Sequence, residues 1–431
     1  MLPQPKRART NLFQVKQLPT LLYALILLIL VIAPGGELVK KAYSGELALP
    51  HSGSSTFVPD FVFFYVAGKM AISEDRFQCY EPELQKPWFQ QVMGAEAAVP
   101  ASIFNVHITP LAFPLLVPFA MLPINSGEIS WLLFSLAVAG VGGFLLSKST
   151  SQFNGNVCWI WLLWTLASFS SWQSLLTGQF SFLELGLVEL FIWSWLTRRE
   201  NLAGAFLALA TLKPHYAIFL LAPALSSKRV VISFALCELF LLVVTASFVG
   251  IENVINYPKI VTHMDATMQA NTATMVCLRG LLSHLPLNQH TILSINLVCL
   301  AIAFLAIVYL SKKMKTESLQ SQSWIFVLAI LTALLFSPHT FFYDYVLMAP
   351  AALFIPSWNI LEIPLKKSPS LWLWSVILLC YPLLSWVLVL CSNISILMPL
   401  ASTTTLAILI ACGLKQIHQI KQENPTVLLA D

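Results

Sequence analysis

The sequence predicts an all-α polytopic membrane protein. Hydrophobic residues fill 57% of its 431 positions and charged residues only 10%, and the mean hydropathy is +0.76. Apolar runs near membrane-spanning length recur to the end of the chain, separated by short clusters of lysine and arginine. A soluble domain of this composition could not cover its surface with polar groups. A bilayer accepts such runs as helices, whose backbone groups bond internally.

The first run, 18–38, follows Lys6, Arg7, Arg9 and Lys16 and ends in PGGELVKKAY, without a small-residue cleavage site. It reads as a retained anchor and not as a signal peptide. Residues 39–127 form a first external loop: the stretch 39–105, with FVPDFVFFYVAG, is too polar for hydrocarbon and must sit in water beside the bilayer. The apolar run 108–122 carries Pro110, Pro114 and Pro118, which break a helix, so it is expected at the outer interface and not as a crossing.

Cytoplasmic loops retain positive charge, which puts Lys148, Arg198 with Arg199, Lys228 with Arg229, Lys312 with Lys313 and Lys315, Lys366 with Lys367, and Lys415 with Lys421 on one side. That choice sets spans at 128–147, 157–175, 180–197, 229–250, 291–311, 323–338, 341–356, 371–391 and 394–413. Residues 202–225 join two loops of the same side. They must go out and return as two short helices turning near Lys213 and Pro214. Twelve crossings are expected, in one membrane domain over 18–413, with a second external loop at 251–290 and cytoplasmic tails at 1–17 and 414–431.

This topology, fixed from charge alone, collects four polar segments on the outer face: the Asp60 stretch, Gly178 with Gln179, Lys213 to Tyr216, and Ser337 to Tyr345. Their convergence predicts one external active site. The formal net charge of +4 is spread over small clusters, so nucleic acid is not an expected partner. No HExxH, CxxC, DxD or glycine-rich phosphate loop occurs, so neither a metal nor a nucleotide cofactor is indicated. Most of the eight cysteines lie in apolar runs; Cys79 and Cys277 fall outside them, as a disulfide or as two free thiols.

Several segments together give the chain a family likeness: DFVFFYVAG from Asp60, CYEP from Cys79, TPLAFPLLVPFAMLP, GQFSFLEL from Gly178, LAGAFLALATLKPH ending at His215, and SPHTFFYDYVLMAP. In their order and spacing, from about Asp60 to Ala352, the chain resembles glycosyltransferase family 87. It departs from the family pattern at Phe180 and Ser181, where an asparagine commonly follows the Gly-Gln pair, and at Tyr80-Glu81, where Tyr-Asp is frequent. The resemblance implies a C-type glycosyltransferase fold with interfacial helices in the first external loop. It also implies transfer of a sugar, mannose or another hexose or pentose, from a polyprenyl-phosphate donor to a lipid or glycan acceptor. The reaction would take place at the outer face of the inner (cytoplasmic) membrane, without a cofactor.

Such a transfer needs a base for the acceptor hydroxyl, cations for the phosphate leaving group and an apolar groove. Asp60 corresponds to the family's proposed base; the plainer role is capping the helix that follows it. Tyr65, in the same aromatic run, is a substrate contact. Lys213 stands between Leu212 and Pro214, where an ammonium needs an anionic partner or must snorkel to the headgroups. His215 adds a polar group on that turn, and Arg279 is either a bidentate phosphate ligand or a solvated loop residue. His339 and Asp344, among aromatic residues, suit phosphate and sugar hydroxyls, or else a helix end in an interfacial aromatic belt. Gln179 can contact a hydroxyl or simply form a turn. Glu184 lies near the outer end of its span and can line the cavity, whereas Glu189 and Glu238 are left outside the site.

Two other functions share this topology. A transporter or lipid flippase would place its site near the midplane between paired repeats, and neither feature is seen in the sequence. A polysaccharide ligase would use a glycan on a lipid diphosphate.

Overall fold

The computed structural model describes residues 9–44, 59–93, 108–154, 158–267, 272, 274–314, 319–353, 368–390 and 396–423. Its regular elements are all helices, with no strand among the described residues. The chain opens with α1 (Arg9–Ser44), then three short helices of the first loop: α2 (Asp60–Ala71), α3 (Pro82–Met93) and α4 (Ala112–Ala120). The nine residues of α4 are too few to cross a bilayer, as its prolines predict, and it packs against α2. Stretches 45–58 and 94–107 of that loop lie outside the described residues.

The membrane part continues with α5 (Ile124–Asn154), α6 (Cys158–Ala167), α7 (Phe169–Thr177), α8 (Ser181–Leu196), α9 (Glu200–Leu209), α10 (Pro214–Ala224) and α11 (Lys228–Val249). The second loop holds α12 (Ile251–Thr267) and α13 (Leu278–Leu282). After it come α14 (Gln289–Lys313), α15 (Leu319–Phe336), the four-residue α16 (Ala349–Ala352), α17 (Pro369–Leu390) and α18 (Leu397–Glu423). Six of these are long and apolar enough to span, within α1, α5, α11, α14, α17 and α18. On α11 and α14 the large apolar side chains Leu236, Phe240, Ile302 and Leu305 face outward, as lipid-facing positions do.

Two expected spans are not continuous helices. Residues 157–175 break at Ser168, whose side chain caps α7 by accepting from the Ser171 N–H. Serine competes well for backbone donors at a helix start, and the cluster FSSWQS offers several. The α7 helix then meets α8 at a 118° bend. The second interrupted stretch is 341–356, which opens as a 3-10 helix, Phe342–Met348, and continues as α16; residues beyond 353 lie outside the described part. The turn near Lys213 is present as expected: α9 tightens into a 3-10 turn, Ala210–Leu212, and Pro214 starts α10 at the position where its missing N–H costs nothing.

Breaks expose carbonyls that hydrocarbon cannot solvate, and indoles supply the donors. Pro382 inside α17 has no N–H for the Leu378 carbonyl, and Trp164 Nε1 donates to it at 2.7 Å. Trp386 closes the Ala167 carbonyl before the Ser168 break, and Trp161 the Ala349 carbonyl in α16, each at 2.8 Å.

At the centre, α8 is buried on nearly all sides and crosses α5 at close range. Gly186 makes this possible, since a Cβ there would stand 2.5 Å from the Val138 carbonyl carbon of α5. The apolar core runs through α8 and α15 together with buried faces of α2, α5, α6, α10 and α17, and the polar groups described next lie at helix ends around it.

Candidate functional site

Four breaks in the helical framework meet at one place. Gly178 closes α7 in the left-handed conformation, φ 68°, which glycine adopts without strain. A side chain there would also collide with α2, because a Cβ would lie 2.6 Å from the Phe61 Cβ. Trp131 of α5 fixes the turn by donating to the Gly178 carbonyl at 2.8 Å. The turn therefore presents Gln179 to the first residue of α2, Asp60.

Gln179 Nε2 donates to Asp60 Oδ2 at 2.6 Å. Asp60 is the first residue of α2, and one oxygen of its carboxylate, Oδ2, is engaged by Gln179. Its edge remains partly accessible, yet desolvation by the surrounding protein raises its carboxyl to about 6; the Gln179 bond and the Lys213 charge pull it down and Asp344 pushes it further up. A carboxyl in that range is a base near neutral pH.

Beside it stands a buried ion pair. Lys213 Nζ reaches Asp344 Oδ1 at 2.5 Å and Ser181 Oγ at 3.1 Å, and lies 5.2 Å from the centre of the Tyr343 ring. Ser181 in turn donates to the same Asp344 oxygen at 3.0 Å. The other oxygen, Oδ2, accepts from the Phe341 N–H, which holds the 3-10 turn in register. Lys213 thus has a protein anion as its partner and does not snorkel. His215, on the following turn, is within electrostatic range of both Lys213 and His339, and its Nε2 has no hydrogen-bond partner.

The remaining predicted residues are placed differently. Arg279 is buried, only 2% exposed, and Nη1 donates to the Pro338 carbonyl at 3.2 Å; it is not a solvated loop residue. Its contact anchors the second loop to the segment that carries His339. Two further bonds do the same, Val276 N–H to the Thr340 carbonyl and the Tyr345 hydroxyl to the Val276 carbonyl. The Tyr65 hydroxyl is taken by the Leu122 carbonyl at 2.8 Å, so it clamps the end of α4. Cys79 and Cys277 are both free, buried thiols.

Ser181 and Tyr343 belong to the cluster; the sequence marked Ser181 only as a departure from the family pattern and gave Tyr343 no role of its own. Glu184 lies near Lys213 and Asp344, buried and with both oxygens unpartnered. Glu128 is likewise unpartnered beneath Gly178. What the cluster offers chemically is a carboxylate poised near neutral pH, a fixed ammonium with the His215 imidazole in its electrostatic field, and the aromatic face of Tyr343.

The sequence model of Glycosyltransferase family 87 matches residues 108–338, more than half of the chain. The match contains Gln179, Ser181, Lys213, His215 and Arg279, and ends just before His339. No curated protein matches the chain.

Proposed function

Because the chain belongs to glycosyltransferase family 87 and is a membrane glycosyltransferase, we propose that it transfers a sugar, mannose or another hexose or pentose, from a polyprenyl-phosphate donor to a hydroxyl of a lipid or glycan acceptor. Asp60 is the base in this reading. It takes the acceptor hydroxyl proton as the acceptor oxygen bonds the anomeric carbon. The bond from that carbon to the phosphate oxygen breaks, and its electron pair leaves with the phosphate. A single displacement of this kind inverts the anomeric centre.

The observation that carries the reading is the Gln179–Asp60 contact at 2.6 Å beside the Lys213–Asp344 pair. Four segments far apart in sequence supply those residues. Since Asp344 already balances Lys213, the donor phosphate falls to His215 and His339, with Lys213 contributing its third donor. Tyr343 and Phe341, stacked at 5.6 Å, offer ring faces to a sugar.

We assign the reaction to the extracytoplasmic face of the inner membrane, with twelve crossings in a C-type arrangement and both termini inside. Support comes from charge: Lys148, Arg198, Arg199, Lys228, Arg229, Lys312 and Lys313 follow or precede the helix ends remote from Asp60. The shorter and broken helices, α6 to α10, α15 and α16, would make the crossings beyond the six long ones.

Purified protein given a polyprenyl-phosphate sugar and extracted envelope lipids should form a glycosylated product seen by mass spectrometry. The Asp60→Asn protein should fold and insert yet form none. Product at the wild-type rate from Asp60→Asn would reject the base. Transfer only from a lipid diphosphate glycan, or lipid movement without covalent change, would reject the donor.

A further inference from the structure

At the opposite ends of the helices that build the cluster lies a second cavity of about 360 Å³, between α8, α9, α10, α11, α14 and α15. Its size is within the roughly 300–1,000 Å³ of ordinary ligand sites. The separation follows from chain direction. Ser181 starts α8 in the acid cluster while Trp195 and Arg198 end it at the cavity, and Lys213 precedes α10 while Pro223 and Ser226 end it there. Sixteen helical residues cover about 24 Å, most of a hydrocarbon layer.

The lining is amphipathic and positively charged. Three cations, Arg198, Lys228 and Arg229, face one carboxylate, Glu200. That carboxylate is already occupied: it accepts from Ser227 Oγ at 2.7 Å and lies 3.8 Å from Arg229. Arg198 and Lys228 have no ion-pair partner among the described residues. The start of α11, capped by Ser227, adds the positive end of a 22-residue helix. Trp195, Ile325 and Phe326 form an apolar wall, and Gln322 and Ser311 provide buried polar groups within it.

Arg198 has φ 59°, the left-handed conformation, and is the one non-glycine residue with positive φ among the described residues. It terminates α8, and the next N–H, of Arg199, returns to the Ser194 carbonyl at 2.8 Å. Glycine is the ordinary residue at such a helix end. An arginine there costs backbone strain and sets a guanidinium at the cavity mouth.

We propose that this cavity binds the phosphate headgroup of an anionic membrane lipid in the leaflet opposite Asp60. The guanidinium of Arg198 and the ammonium of Lys228 bind the phosphate oxygens, and the glycerol and first methylenes lie on the Trp195–Phe326 wall. Basic pockets between membrane helices recognise acidic headgroups in this way. The proposal requires only a bilayer around the helices and stands apart from the transfer reaction.

The test uses the full chain, stripped of lipid in detergent and mixed with equal amounts of phosphatidylglycerol and phosphatidylcholine of matched acyl chains, with adducts read by native mass spectrometry. The wild type should retain phosphatidylglycerol in preference by about tenfold or more. Arg198→Gly with Lys228→Gln should bring the ratio near parity. Both sites are exposed and glycine relieves the backbone at 198, so the double variant should keep its elution volume and melt no lower than the wild type. Equal retention of the two lipids by the wild type, or an undiminished preference in the variant, overturns the proposal. Displacement of the lipid by excess inorganic phosphate, with phosphate alone raising the melting temperature as much, would reassign the cavity to a free phosphate group and overturn the lipid.

Discussion

Gln179 and Asp60, separated by 119 positions in the chain, share a 2.6 Å hydrogen bond from the amide to the carboxylate. The bond favours the charged carboxylate, while the surrounding protein favours the neutral acid, and the balance leaves Asp60 at about 6. Transfer that needs the carboxylate should therefore fall about tenfold per pH unit below that value and level off above it. Initial rates from about pH 4.5 to 8 check this; a flat profile down to the low end would dissociate Asp60 from the rate.

Removing the donor should move the limb in a known direction. In Gln179→Ala the charged form loses its hydrogen bond, so the acidic limb shifts above the wild-type position and the neutral-pH rate drops about tenfold. A purely structural role for Gln179 would lower the rate without moving the limb.

The same raised carboxyl has a consequence for stability. The folded state holds the Asp60 proton more tightly than the unfolded chain does, so the proton's contribution is present below about pH 4 and is lost as pH rises through about 6. Asp60→Asn avoids that loss. After allowance for partial exposure it should be about 1–2 kcal/mol more stable than wild type at neutral pH, with the gap closing near pH 4, in detergent melting curves.

Lys213 and Asp344 should fail singly and recover together. Lys213→Met leaves a buried carboxylate without its cation and should cost about 3–5 kcal/mol. Asp344→Leu should cost a similar amount, and the double variant less than the two added. Strict additivity in that cycle would show that the 2.5 Å contact couples nothing.

Gly178→Ala should destabilise by about 2 kcal/mol or more, since the left-handed backbone and the Phe61 side chain both exclude a methyl group. Tyr65→Phe should have a milder effect. It forfeits one bond to the Leu122 carbonyl, about 1 kcal/mol, and leaves KM for either substrate unchanged.

The sequence made the long lipid-facing helices plain, because α11, α14, α17 and α18 are uninterrupted apolar runs. The turn at Lys213 was equally legible, since residues 202–225 join two basic loops of the same side and must go out and return. Less visible was the break at Ser168: hydropathy averages over a window and hides a cap, although FSSWQS contained it. Residues 341–356 misled for the same reason, being apolar but wound as a 3-10 turn around Asp344. The candidate residues Asp60, Gln179, Lys213 and Asp344 could be named one by one. Their pairing could not, since which ammonium meets which carboxylate depends on helix ends that only tertiary packing brings together. That is also why Ser181, a small polar residue in an apolar run, was not expected beside Lys213.

Trp164 waits for a carbonyl at Leu378, 214 positions further along. During synthesis the Trp164 indole therefore lacks this partner until α17 emerges, and Trp386, on the same helix, is needed to close the helix end at Ala167. The last third of the protein is in this respect a clasp on its first half. A chain shortened before α17 would leave the ribosome with the Ala167 carbonyl missing its indole donor, a defect open to quality-control proteolysis.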